Sequence, residues 1–369
     1  MSLPADQVNQ ITKTHLFTAR EGGYWTYRIP GLAVTPGGVV LATTEARRGK
    51  GGDWDGNDVL MRRSLDGGVT WEPPKLVVRH EDYGPGPISN FVMIPDRVTG
   101  VVHALFCHNY SRAFYMSSSD DGKHFSSPRD ITAAFETFRA GYDWNVIATG
   151  PGHGLQLSNG RLIVPIWMSN GGRRHRPSEA SVIYSDDHGA SWHAGDVIVR
   201  TDDEFRFPSE ATVVELSDGR VLINVRTESD RQRRVVSTSP DGATGWTKPR
   251  FDEQLLDPVC MASLIRATPP DAGNHILFTN PDNLERTLPG LGEVNRDRKR
   301  LTVKVSTDDC SSWTASRVIE EGPSGYSDLA IAPDGAILCL YECGIIERMA
   351  DDKHLTLARF DLDWVLNPS

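Results

Sequence analysis

"SDDHGASW" (residues 185–192) opens on serine, places an aspartate third and a glycine fifth, and closes on tryptophan. The arrangement recurs as "SLDGGVTW" from Ser64, "SSDDGKHF" from Ser118, "SPDGATGW" from Ser239 and "STDDCSSW" from Ser306. Its chemistry is that of a tight hairpin turn. The aspartate can accept backbone N–H groups of the turn, glycine supplies a positive φ, and the aromatic ring packs onto the sheet. That makes the repeat a structural device. The copies stand 54, 67, 54 and 67 residues apart, room for about four short strands and their loops, the size of one propeller blade. Two copies are imperfect: Cys310 replaces the glycine in one, and the Ser239 copy has its glycine shifted.

The stretches between the boxes agree with this reading. "GVVLATTEA" (38–46), "VVHALFC" (101–107), "RLIVPIW" (161–167), "RVLINVR" (220–226) and "AILCLYE" (336–342) are short β-type runs, separated by "PGG", "SNG", "SDG" and "PDG" turns. "ITAAFETFR" (131–139) is the one segment with a helical pattern. The expected fold is all-β, one domain over residues 1–369. Five boxes plus a first blade closed by both termini give six four-stranded antiparallel blades. "THLFTA" (14–19) and "HLTLARFDL" (354–362) are the segments expected to pair in that closure, which removes exposed sheet edges.

The formal net charge of −10 argues against nucleic acid or an anionic membrane as partner, since both need a basic face. No apolar run is long enough to span a bilayer. No charged, apolar leader opens the chain, so the expected compartment is cytoplasmic, or secreted or periplasmic if a leader had been removed. Five cysteines (107, 260, 310, 339 and 343) lack metal-type spacing and read as buried free thiols. No metal ligand set and no cofactor motif is visible.

One strand carries an anomaly. In "YWTYRIPGL" (24–32) Arg28 sits between Tyr27 and Ile29 in a run of strand-forming residues. A guanidinium cannot lose its charge, so half-burying it costs several kcal/mol unless an anion meets it.

With "YRIP" (27–30), the eight-residue repeat, known as the Asp box, resembles the exo-sialidase (neuraminidase) family over nearly the whole chain. The resemblance implies a six-bladed propeller that removes terminal α-linked sialic acids with retention, without metal or cofactor, acting on sialylated glycans. It implies three arginines gripping the sugar carboxylate: Arg28, Arg226 sixteen residues beyond Glu210, and Arg298 in "NRDRKR" (295–300), with Arg300 as the substitute. A carboxylate nucleophile would meet the bound carboxylate at close range, and the family uses a tyrosine instead. "GPSGYSDLAI" (322–331) then makes Tyr326 the nucleophile and Glu210 its general base, while Glu342 in "LYE" braces Arg28. Arg47 should touch the sugar's 4-position. Asp53, on the glycine-rich loop "GKGGDWDG", fits the acid/base, with Asp55 and Asp58 as alternatives in the same loop. Asn90 stands where some members have an aspartate, and "CHNYSRAF" (107–114), His153 and Trp167 are candidates for the acylamino or glycerol subsites. The competing readings are a hydrolase for a related nonulosonic acid such as the deaminated form, a transferase that excludes water, a propeller that binds sialosides without cleaving them, and an Asp-box scaffold. A pure lectin needs the arginines but has no use for Tyr326, Glu210 and Asp53 together.

Overall fold

Each eight-residue box begins where a strand ends. Ser64, Ser118, Ser185, Ser239 and Ser306 are the last residues of the strands Asn57–Ser64, Arg112–Ser118, Ser178–Ser185, Arg233–Ser239 and Lys299–Ser306. In the first box the Asp66 carboxylate accepts from Ser64 Oγ at 2.8 Å and from the Thr70 N–H at 2.8 Å, while Trp71 Nε1 donates to the Gly68 carbonyl. The same serine–aspartate bond closes the other four boxes at 2.8–3.0 Å. Cys310 adopts φ 64° where the other boxes use glycine, and its amide donates to Ser306 Oγ. The turn's hydrogen bonds hold a left-handed residue there despite its side chain.

The protein's structure is a computed structural model describing residues 10–268, 272–288 and 292–367. It is built from antiparallel sheets. One contains Thr26–Val34, Val40–Arg47, Asn57–Ser64 and Lys75–Val78; a second, Ile88–Pro95, Val102–His108, Arg112–Ser118 and Arg129–Asp130. A third is centred on Val146–Thr149, Leu162–Ser169 and Ser178–Ser185, and a fourth runs Ala211–Glu215, Val221–Val225, Arg233–Ser239, Arg250–Leu256. The remaining strands form one seven-stranded path. In it the 17-residue strand Ala315–Ile331 pairs with Lys299–Ser306 through its first half and with Ile337–Ile345 through its second. Thr12–Thr18 lies beside Asp352–Phe360 at the end of that path, with His15 opposite Thr356, as the sequence led one to expect of the two termini.

Apolar side chains alternate into interfaces between sheets. Leu41 and Met61 meet Met93 and Phe106; Val92 and Leu105 meet Ile147 and Val164; Ile163 and Val182 meet Val213 and Ile223. Leu32 and Val40 pack in turn against Leu338 and Leu357 from the last sheet. Each such side chain, fully buried, contributes about 1.5–3 kcal/mol relative to exposure. All five cysteines are buried and free. Residues 131–139 yield only a short helix, Ala133–Glu136, followed by a 3₁₀ turn at Thr137–Ala140. The sequence reading missed a second helix, Leu362–Leu366, which Asp361 caps by accepting from the Trp364 N–H at 2.6 Å. Among the described residues no helix is long and apolar enough to cross a membrane.

One carboxylate ties several sheets together near their inner edges. Asp328 accepts from the Leu32 amide at 2.8 Å, from Ser263 Oγ at 2.9 Å, and bonds His153 Nδ1 at 2.6 Å. Those partners lie on or beside the inner strands of three different sheets.

Candidate active site

The inner strands are kinked where they reach the site. Register shifts between Arg28 and Gly31, between Ser89 and Val92, and between Ser324 and Ser327 mark three bulges, and each re-aims a side chain inward. Ile29 and Asn90 sit at φ 59° and 57°, left-handed values that are unfavourable for a side-chain-bearing residue and most of all for a β-branched one. Each is held by a buried carboxylate. The Ile29 amide donates to Glu342 at 3.0 Å, and the Asn90 amide donates to Glu45 at 2.8 Å.

The resulting cavity, about 250 Å³, is lined by Arg28, Arg47, Asp53, Asn90, Tyr110, Trp167, Glu210, Arg226, Arg298 and Tyr326, among others. An adjoining space of about 120 Å³ shares Asp53, Glu210, Arg226 and Tyr326 and extends to Ser178 and Phe207. Glu342 is not in the lining; it lies beneath, fully buried. Its carboxylate accepts from Arg28 Nη2 at 3.1 Å, from the Ile29 amide and from the Tyr326 amide at 2.9 Å. A Cβ on Gly325 would stand 2.3 Å from Glu342 Oε2, so glycine before Tyr326 is what lets that carboxylate approach.

Tyr326 is the centre of the cluster. Its hydroxyl donates to Glu210, and Arg226 Nη1 donates to the same phenol oxygen at 2.7 Å. Arg226 also donates to Glu210. The guanidiniums of Arg28 and Arg298 lie 5.1 and 5.2 Å from the centre of the Tyr326 ring. Burial pushes the phenol far above its ordinary value; Arg226 opposes that and Glu210 adds to it, so the free site holds the hydroxyl neutral. Buried Nε atoms of Arg226 and Arg298 have no hydrogen-bond partner among the described residues. Desolvated guanidinium donors of that kind suit an anion.

Of Asp53, Asp55 and Asp58, Asp53 reaches this space, and Asp58, expected in the same loop, lies in the strand Asn57–Ser64. The half-exposed Asp53 carboxylate accepts from Arg47 Nη1 at 2.7 Å. Burial would push it up, but Arg47 and then Arg28 hold it well below the usual carboxylate range. Asp55 is spent inside its own loop, on the Lys50 and Gly52 amides. Asp58 is fully buried and bonded to Tyr24, Arg48 and His80. Arg300 turns outward toward Glu321, 3.6 Å away, leaving Arg298 in the cavity.

Tyr110 and Trp167 line the site, but His153 does not. It lines a separate cavity of about 330 Å³ with Leu32, Leu264 and Leu329, drawn there by its bond to Asp328. Glu45, Asp352 and His175 are among the contributors that escaped the sequence reading. Glu45 binds Arg47 through both Nε (3.0 Å) and Nη2 (2.7 Å). Asp352 accepts from Arg28 Nε at 3.0 Å. His175 packs 5.3 Å from Trp54 and 5.2 Å from Trp167. Glu45 had a readable signal, since residues two apart on a strand share a face. Asp352 and His175 had none.

A family model described as a BNR repeat-like domain matches residues 38–339. A sialidase of Micromonospora viridifaciens is 32% identical over 371 residues, covering 93% of this chain and 52% of that protein. The chain belongs to the BNR-repeat sialidase family. It spans about half the length of that bacterial relative, whereas Sialidase-3 of Bos taurus, 27% identical, is matched over 86% of both chains. Among solved structures, a Hadza microbial sialidase superposes with a TM-score of 0.78 at 26% identity, covering 96% of this chain and 69% of that one. The intramolecular trans-sialidase of Ruminococcus gnavus, at 18% identity, shares the fold with a TM-score of 0.73 over 95% of this chain and 98% of that one. The fold is therefore the β-propeller of the sialidases.

Proposed function

We propose that this sialidase-family chain is a single propeller domain that hydrolyses terminal α-linked sialic acids from glycoconjugates, with retention, through Tyr326. The observation that carries the reading is the phenol of Tyr326 hydrogen-bonded to Glu210 and surrounded by Arg28, Arg226 and Arg298. The sheets are read as six blades, with the seven-stranded path counted as two blades sharing one long strand.

The sugar carboxylate binds the three guanidiniums, whose planar donors fix its orientation. Asp53 gives its proton to the leaving glycosidic oxygen as the C–O bond breaks. Tyr326 oxygen bonds the anomeric carbon from the opposite face, and its proton passes to Glu210. A neutral phenol approaches the carboxylate-bearing carbon without the repulsion an ionised aspartate would meet. Asp53, now ionised, takes a proton from water as the water oxygen attacks the anomeric carbon; the bond from that carbon to the Tyr326 oxygen breaks, and Glu210 returns its proton to the phenolate. The first product is the α-anomer. Arg47 and Asn90 face the ring substituents.

The test is release of a fluorescent phenol from its sialic acid and deaminated-acid glycosides, side by side, with the first-formed anomer followed by NMR. Release from the sialic acid glycoside with an α-anomer supports the reading. No release from either, or a β-anomer first, sinks it.

Asp53 must be protonated to act, yet in the free site Arg47 and Arg28 keep it ionised. A bound carboxylate offsets Arg28 and moves the Asp53 proton affinity upward. For natural glycosides, kcat/KM should therefore rise as pH falls. Asp53→Asn is expected to slow them by about 10²–10⁴-fold, while acidic aryl glycosides, which leave without a proton, lose less than about tenfold in the glycosylation step. Equal slowing of both in single-turnover measurements would remove the acid role from Asp53.

A further inference from the structure

Arg28 carries two carboxyl groups. Glu342 takes Nη2 at 3.1 Å and Asp352 takes Nε at 3.0 Å, and both carboxyls are buried. Asp352 comes from the strand Asp352–Phe360, paired with the strand Ile337–Ile345 that carries Glu342, so the two carboxyls converge on one guanidinium. The charged groups facing Asp352 are Arg28, Glu342 and Arg298, with the Cys343 thiol nearby. Glu210 is matched by Arg226.

We propose that Asp352 is a positioning residue for the sugar carboxylate, holding with Glu342 a single shared proton so that the arginine cluster keeps one positive charge for the substrate. The inference rests on the sialoside reading above. If Glu210, Glu342 and Asp352 were all ionised, they would cancel Arg28, Arg226 and Arg298, leaving nothing to offset an incoming carboxylate. With one proton on the pair, Arg28, Arg226 and Arg298 carry one positive charge more than their own carboxyl partners Glu210, Glu342 and Asp352. Like charges brought together in a buried site do not both ionise. Burial and the neighbouring Glu342 push the Asp352 carboxyl well above the usual range, whereas Arg28 holds Glu342 low, which places the proton on Asp352.

As pH rises and the pair loses its proton, Asp352 becomes a second full charge on Arg28 and competes with the substrate. The alkaline limb of kcat/KM then reports this pair, and it appears in KM and not in kcat. The measurement uses an aryl sialoside with an acidic phenol, so that Asp53 protonation does not shape the profile. Asp352→Asn keeps an oxygen for Arg28 Nε and an N–H for Glu342, mimicking the protonated acid without its titration. The alkaline limb should move up by at least about one pH unit in this variant. Superimposable wild-type and Asp352→Asn profiles, or a limb carried by kcat, overturn the inference.

Calorimetry needs no variant to fold. Binding of 2,3-didehydro sialic acid on the alkaline side, in two buffers of different ionisation enthalpy, should take up a fraction of a proton. Binding without uptake sinks this inference and leaves the sialidase reading standing. No binding of the probe, with no cleavage of the sialoside, takes both down.

Discussion

Tyr326→Phe is expected to lose at least about 10³-fold in kcat/KM toward every sialoside, aryl ones included, because it removes the attacking atom itself. The loss should not come from misfolding. The Tyr326 backbone amide, which donates to Glu342, is untouched, and the ring keeps its contacts with the Arg28 and Arg298 guanidiniums. What disappears is the hydroxyl shared by Glu210 and Arg226. A 3-fluoro sialosyl fluoride should trap the wild-type enzyme, since the fluorine slows both steps and the good leaving group spares the first. Mass spectrometry should place the sugar on the peptide holding Tyr326, with no label on Tyr326→Phe. Glu210→Gln should label slowly at best, and the double variant should be little worse than the worse single one, as the two residues serve one proton transfer. Label on Asp53 or Glu210 would overturn the assignment.

Arg28→Lys keeps the charge and loses the fork. Arg28 divides its donors between Glu342, Asp352 and the cavity, and an ammonium on a flexible stem cannot serve three directions at fixed angles. Two buried carboxyls would then be left partly unmatched, and the substrate carboxylate would lose a planar partner. The expected cost in kcat/KM is about 2–4 kcal/mol, roughly 30- to 1,000-fold, with circular dichroism unchanged. A correctly folded variant with near wild-type kcat/KM would mean that the carboxylate is bound elsewhere.

The architecture was legible because the boxes punctuate it. Each Ser-x-Asp turn marks the end of a strand, so each interval could be read as room for about four short strands and their loops. Arg28 was legible from its place inside the strand run "YRIP", while Tyr326, Glu210, Arg226 and Arg298 were legible through the family resemblance that this motif and the boxes carry. What stayed hidden depends on distance along the chain. The sequence favoured Asp53 but kept Asp55 and Asp58 as alternatives in the same polar stretch; the fold sends Asp53 to Arg47, keeps Asp55 within its loop and places Asp58 in the strand Asn57–Ser64. Asp352 lies 324 residues from its partner Arg28 and reads locally as part of an acidic turn. His153 looked like a subsite residue, yet its partner Asp328 is 175 residues away and draws it into a different cavity. The helix Leu362–Leu366 was overlooked because "HLTLARFDL" runs a strand pattern straight into it.

The Asp328 carboxylate, two residues beyond Tyr326, gathers donors from the Leu32 amide and Ser263 Oγ and bonds His153. Reactive residues on loops usually fail early on heating, since local openings cost less than global ones. Here the proposed nucleophile, Tyr326, shares its strand with the rivet that joins separate sheets, so it cannot drift without prising those sheets apart. Thermal inactivation should therefore track cooperative melting of the whole propeller, with no dead but folded species accumulating beforehand.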